Sequence, residues 1–297
     1  MKHQSVLLKE VITGLAVAPG ETVLDLTVNR GGHSLALCQE AAAHGRLIGL
    51  DADNGALTEA SENLKACPCP VTLINGNFRD LARLLDEASV KKVDVILADL
   101  GLSSEQLNDS GRGFSFQTDE TLQMTLNPHP APDDVTAEVI VNHWSEETLA
   151  DIIYAYGEER LARKIAGAIV EARQVKPIKT TGDLVAVIAS VIPARFQHGK
   201  RHFATKTFQA LRIAVNDELK SLETLLPTAW SRLNPGGRMG VITFHSLEAR
   251  IVKNFFRDLS QKKEGEILAK HAIRAGRPEV LANPRSRSAQ LRIIRKI

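Results

Sequence analysis

Short apolar runs bounded by turn residues recur through the first third of the chain. They are Thr22-Val-Leu-Asp-Leu-Thr27, Arg46-Leu-Ile-Gly-Leu-Asp51, Val71-Thr-Leu-Ile-Asn75 and Val93-Asp-Val-Ile-Leu-Ala-Asp-Leu100. Runs of this length and composition predict buried strands. The segments between them are rich in Ala, Leu and Glu and long enough for crossover helices. That alternation predicts a doubly wound α/β domain around a parallel sheet.

After Leu100 the rhythm changes. Leu161, Ile165 and Ile169 recur at helical spacing until Pro177. Thr180 with Asp183 forms a capping-box pattern ahead of Leu184, Val187, Ile188 and Val191, and Pro193 closes that segment. One longer helix is expected to carry Phe208, Leu211, Val215, Leu219, Leu222 and Leu225 on one stripe, its later part returning to the sheet. Strand patterns resume at Arg238-Met-Gly-Val-Ile-Thr-Phe244, after the turn Asn234-Pro-Gly-Gly237, and at Ala289-Gln-Leu-Arg-Ile-Ile-Arg295. The expected organisation is a sheet domain over 1–106, a loop and inserted helical domain over 107–206, and the rest of the sheet domain with a basic tail over 207–297. The stretch from Gly101 to Pro132 is rich in Gly, Ser, Asp and Pro; a structureless loop that long is usually functional.

The 297 residues carry a formal net charge of only +2, but unevenly. From Arg250 to Ile297 there are 13 Lys/Arg against 4 Asp/Glu, leaving 24 against 31 elsewhere. A basic tail on an acidic body points to a polyanionic partner or to a solvated terminal segment. The three cysteines, Cys38, Cys67 and Cys69, form neither a disulfide framework nor a paired metal-binding spacing, so packing, a reducing cytoplasm and no metal are expected. No signal-peptide pattern and no run of 18 apolar residues is present, so no membrane association is expected.

Ligands of open α/β sheets bind outside the carboxyl ends of the strands. Strand one leads into Gly31-Gly32-His33, which opens a helix and allows close backbone approach. Strand two ends in Asp51, an acceptor suited to ribose hydroxyls. Strand three is followed by Phe78, able to cover a purine, and strand four ends in Asp99. Taken singly, each also reads as a turn, a helix cap or a core residue. Together, at four successive strand ends, they point to a nucleoside-containing cofactor. The G-x-G-x-x-G turn of a dinucleotide site is missing, which favours S-adenosylmethionine over NAD.

Longer strings carry a family resemblance. Asp99-Leu-Gly-Leu-Ser-Ser-Glu-Gln106, Arg112-Gly-Phe-Ser-Phe116, Tyr156-Gly-Glu-Glu159, Thr207-Phe-Gln-Ala-Leu-Arg-Ile213 with Val215-Asn216, Phe244-His-Ser-Leu-Glu248 and Asn283-Pro-Arg-Ser-Arg-Ser288 resemble the MraW/RsmH family, ribosomal RNA small-subunit methyltransferase H. His3 to Glu10 matches as well, so the resemblance spans essentially the whole chain. It implies a Rossmann-like class I methyltransferase fold with an inserted helical domain. It also implies transfer of a methyl group from S-adenosylmethionine to a cytidine N4 in small-subunit ribosomal RNA, free or in the assembled subunit, in the cytoplasm. The implied cofactor contacts are Gly31, Gly32, His33, Asp51, Phe78, Asp99 and Gln106.

Some positions depart from the family pattern. Leu26 and Asn29 stand where glycines are usual, and Leu-Asp-Met-Arg-Met-Asp has become Leu122-Gln-Met-Thr-Leu-Asn127. Phe203 and Lys206 replace Pro and Arg, and Ala249 replaces an acid. A diverged member acting on another RNA, and a noncatalytic RNA-binding assembly factor that keeps the cofactor pocket, therefore stay open beside the enzyme. The oligomeric state is open too, a homodimer being one option. For catalysis Asp99 is the candidate, through a hydrogen bond to the cytosine amine. Arg112, Phe114 and Phe116 are candidates either for stacking an unstacked base or for closing the loop's own small core, and Arg285, Arg287 and Arg292 for binding phosphates.

Overall fold

The computed structural model describes residues 5–101, 110–127, 130–131, 134–197, 199 and 202–297. The chain divides into two units: one takes the chain up to Gly101 and from Leu219 to Ile297, the other runs from Leu102 to Glu218.

The first unit is built on strands β1 (Thr22–Asp25), β2 (Arg46–Asp51), β3 (Val71–Asn75), β4 (Val93–Asp99), β5 (Leu233–Thr243), β6 (Gly265–Ile267) and β7 (Gln290–Lys296). They form one sheet in the order β3-β2-β1-β4-β5-β7-β6. Neighbours from β3 through β5 are parallel, whereas β7 runs antiparallel to both β5 and β6. The sheet is therefore mixed, with β7 alone reversed. The expected turn Asn234–Gly237 lies within β5 as an irregularity, where the partner of β5 jumps from Val93 to Val95.

Alternate residues of each strand face opposite sides, as a pleated strand requires. Leu24, Ile48, Ile96 and Val241 enter one apolar cluster; Val23, Leu47, Val95 and Ile242 enter the other. Helices α1 (Leu8–Leu15), α2 (Gly32–Ala41) and α3 (Asn54–Asn63) contribute to the second cluster, and α4 (Leu81–Glu87) contributes to the first.

The second unit contains α5 (Ala137–His143), α6 (Glu146–Ala155), α7 (Ala162–Val175), α8 (Thr181–Val191), α9 (Ala194–Gln197) and α10 (Thr205–Asn216). The Thr180–Asp183 capping box forms: the Asp183 N–H donates to Thr180 Oγ1 and the Thr180 N–H to Asp183 Oδ2. The single long helix expected after residue 206 is instead two. Asp217, at φ 49°, ends α10, and α11 (Glu218–Arg232) begins anew. Phe208 and Leu211 pack in the helical unit's core, whereas Leu222 and Leu225 pack against the sheet. This split places the second unit boundary at 218/219, against the expected 206/207. The first unit is completed by α12 (Ser246–Gln261) and α13 (Arg277–Ala282).

The described part of the long loop is knit into the helical unit. Arg112 donates through Nη1 to the carbonyls of Thr125 and Leu126, both at 2.9 Å. Asn216 accepts from the Leu126 N–H and donates to the Met124 carbonyl, each at 2.8 Å. Asn216→Ala strands these groups and is expected to cost on the order of 1–3 kcal/mol. A lower urea midpoint with faster amide exchange at Leu126 is the expected readout.

Candidate functional site

Parallel pairing fixes where the polar strand ends fall. The register sets Asp25 opposite Gly49, Asp51 opposite Asn75 and Asp99 opposite Ile242, so Asp25, Asp51 and Asp99 share the carboxyl edge of the sheet. The turn leaving β1 is held to its neighbours there. The Leu26 N–H donates to the Leu97 carbonyl and the Val28 N–H to the Leu50 carbonyl. The Asp99 N–H donates to Thr27 Oγ1 at 2.7 Å.

Asn29 has φ 49° and Gly31 has φ 79°. Asparagine is among the few side chains that tolerate this left-handed region, which accounts for Asn29 in a position where the family has glycine. Leu26 is buried in the sheet core. A Cβ on Gly32 would lie 2.2 Å from Ser5 Oγ, so the serine hydroxyl would have to turn away for a larger residue at the start of α2.

Asp51 is oriented by two backbone donors, Asn29 N–H on Oδ2 at 2.8 Å and Asp53 N–H on Oδ1 at 2.9 Å. A carboxylate so held keeps acceptor capacity for a further donor. Burial raises its pKa from the ordinary value, against the lowering effect of the backbone donors. Phe78 opens a 3₁₀ turn beyond β3, half-buried against the sheet core.

The centre of the edge is acidic. Asp25, 1% exposed, accepts from Ser34 Oγ at 2.6 Å and from the Thr27 N–H at 3.0 Å. Asp99 lies 3.7 Å from His33 Nε2, and its buried Oδ1 has no hydrogen-bond partner among the described residues. Glu248 caps α12, accepting the Phe244 and His245 N–H groups on Oε2. Burial, reinforced by the charges of Asp25 and Glu248, pushes the Asp99 pKa up to about 7; burial pushes Asp25 up to about 6. Sequence reasoning did not single out Asp25, Ser34 or Glu248 as site residues. Asp25 carried the signal of its end-of-strand position, and Glu248 that of the Phe244–Glu248 string. Gln106 falls outside the described residues.

The remaining candidates separate. Arg112 and Phe114 are buried in the helical unit, the guanidinium over the Phe114 ring at 5.4 Å and bonded to loop carbonyls. They close the loop's own core, the second of the two roles open to them. Phe116 is half-buried, stacked on His202 at 4.4 Å and edge-on to Phe208 at 5.2 Å. Arg287 is exposed, while Arg285 and Arg292 are half-buried. Burial lowers both of their pKa values, with the charge of Arg274 adding to the effect at Arg292.

A mixed sheet with one reversed strand, helices on both faces and a polar, acidic carboxyl edge is the build of a Rossmann-like methyltransferase. Sequence comparison narrows this class. The profile of the MraW methylase family matches residues 1–297, and the chain belongs to that family. Relatives named ribosomal RNA small subunit methyltransferase H include one from Koribacter versatilis, 48% identical, covering 98% of this chain and 92% of its own. The one from Nostoc punctiforme is 48% identical, covering 99% and 94%. The one from Desulfotalea psychrophila is 44% identical, covering 99% and 98%.

The raised carboxyls make stability depend on pH. A folded state that holds protons more tightly than the unfolded chain loses stability as pH rises from the unfolded pKa towards the folded one. For Asp99 that window runs from about 4 to about 7. The ligand-free protein is therefore expected to melt at lower temperature at pH 8 than at pH 5. Asp25→Asn should remove up to about 3 kcal/mol of that slope. Thermal melts of both proteins across this range test it.

Proposed function

We propose that the protein transfers a methyl group from S-adenosylmethionine to the N4 amine of a cytidine in small-subunit ribosomal RNA. The observation that carries this reading is the buried carboxyl cluster of Asp25, Asp99 and Glu248 at the strand ends. A pyrophosphate would be repelled there, whereas the sulfonium and ammonium cations of S-adenosylmethionine would be attracted. The partnerless Asp99 Oδ1 offers a ready acceptor. Asp51 would take the ribose, Phe78 the adenine face, and the Gly31-Gly32 turn with His33 the space between. The relatives' shared name supplies the RNA class.

S-adenosylmethionine supplies an electrophilic methyl group on a positively charged sulfur. Beside such a cation Asp99 would have its pKa lowered and would stand as the carboxylate. Asp99 then accepts a hydrogen bond from the cytosine amine, holds it in line with the methyl group and favours localisation of its lone pair. Such alignment contributes up to roughly 7–11 kcal/mol in favourable cases. The proton released after transfer passes to water. Phe116 with His202 provides an aromatic surface for an RNA base, and Arg285, Arg287 and Arg292 receive phosphates.

Small subunits from cells lacking the modification, incubated with labelled S-adenosylmethionine, should acquire label at one cytidine N4, read by nucleoside mass spectrometry. Binding of cofactor and RNA without label would leave an assembly factor instead. Asp51→Asn should weaken S-adenosylmethionine roughly tenfold to a hundredfold in calorimetry, through loss of hydrogen bonds to a charged acceptor. Replacing Arg285 and Arg287 by Ala should flatten the salt dependence of RNA binding, because fewer counterions are released, while leaving cofactor affinity unchanged.

A further inference from the structure

Cys38 converges in the fold with Cys67 and Cys69, which stand two residues apart and 29 or more residues further along the chain. Cys38 lies on α2; Cys67 and Cys69 lie in the connection entering β3. The Cys38 and Cys67 sulfurs are paired, with Cα atoms 5.9 Å apart. Cys69 Sγ stands 3.4 Å from Cys38 Sγ and 3.8 Å from Cys67 Sγ. The expectation of unrelated packing cysteines is thereby corrected; spacing alone could not show that α2 returns to this connection.

We propose that Cys38, Cys67 and Cys69 form a thiol–disulfide exchange site that reversibly ties α2 to the entrance of β3. The Cα separation lies in the range a disulfide spans. Cys38 and Cys69 are buried among Leu37, Ala41, Leu47 and Leu64, and Cys67 is half-buried at the rim. A divalent or monovalent metal held by three thiolates would bring net negative charge into this apolar cluster, which is costly. A disulfide with one neutral thiol brings none, and burial raises the Cys69 thiol's pKa, in keeping with that form.

The co-reactant is a small-molecule disulfide. Cys67, the accessible member, attacks it as thiolate, forming a mixed disulfide and expelling one small thiolate. Cys38 then attacks Cys67 Sγ, forming the protein disulfide and expelling the second. Two protein thiols are oxidised and one small disulfide is reduced to two thiols. Cys69, giving up its proton to solvent at the rim, can next attack Cys38 Sγ as thiolate, moving the bond to Cys38–Cys69 and releasing Cys67 as the thiolate, which takes up a proton there. The link bears on the strand-end site, because α2 begins at Gly32 and Leu64, three residues before Cys67, would lie 3.2 Å from a Cβ on Gly31.

The test equilibrates the full chain with glutathione disulfide or reduced glutathione, quenches with acid, alkylates under denaturing conditions and maps peptides by mass spectrometry. In the oxidised sample, alkylatable thiols should fall from three to one, with Cys38–Cys67 and a smaller share of Cys38–Cys69 linked peptides. Reduced glutathione should restore all three, and oxidation should raise the melting temperature by several degrees. Cys67→Ser should move the link wholly to Cys38–Cys69; should that variant not fold, the wild-type peptide map decides alone. Three alkylatable thiols under oxidation would overturn the proposal. So would a thiolate-to-metal charge-transfer band on adding cobalt(II) to the reduced chain, which would assign the cluster to a metal.

Discussion

Everything at the carboxyl edge depends on burying like charges side by side. Asp25 and Asp99 end adjacent strands, and Glu248 caps the helix after β5, so the parallel sheet delivers three acids to one place. Backbone and hydroxyl donors satisfy Asp25 and Glu248, which permits their burial. Asp99 is left with an oxygen that is buried and unspent. The fold thus holds an electrostatic deficit that a cation bound there would relieve.

Much of the frame was legible in the sequence because periodicity and turn residues obey local rules. The first four strands, β7 and the Thr180 capping box follow from apolar runs and from a hydroxyl-to-carboxylate spacing. The three-residue strand β6 was not legible, being too short for any pattern. The break at Asp217 was missed because the apolar stripe runs unbroken across it; the left-handed turn appears only in the backbone. The cysteine cluster is purely tertiary, set by where α2 meets the connection into β3.

The departures from the family pattern gain physical sense in the same way. Asn29 takes the backbone conformation a glycine would, and Ala249 is 9% exposed on the packed face of α12, where a small apolar side chain fits. Thr125 is 6% exposed, and its hydroxyl accepts the Asn127 N–H. An arginine there would need a buried partner for its charge, and Gln123 and Asn127 are neutral. At these three positions the charges of the family pattern are lost together.

The interrupted sheet also has a consequence for how the chain reaches this state. β4 must pair with β5 across the whole stretch from Leu102 to Glu218, and β6 finds its partner only once β7 has been made. Closing so long a loop costs entropy only logarithmically in its length, but it is slow compared with local helix packing. The inserted helices own a separate core, so they can collapse first and shorten the search. Until β5 arrives during synthesis, β4 presents an open apolar edge, the interval in which a nascent chain is most exposed to wrong pairing and most in need of protection.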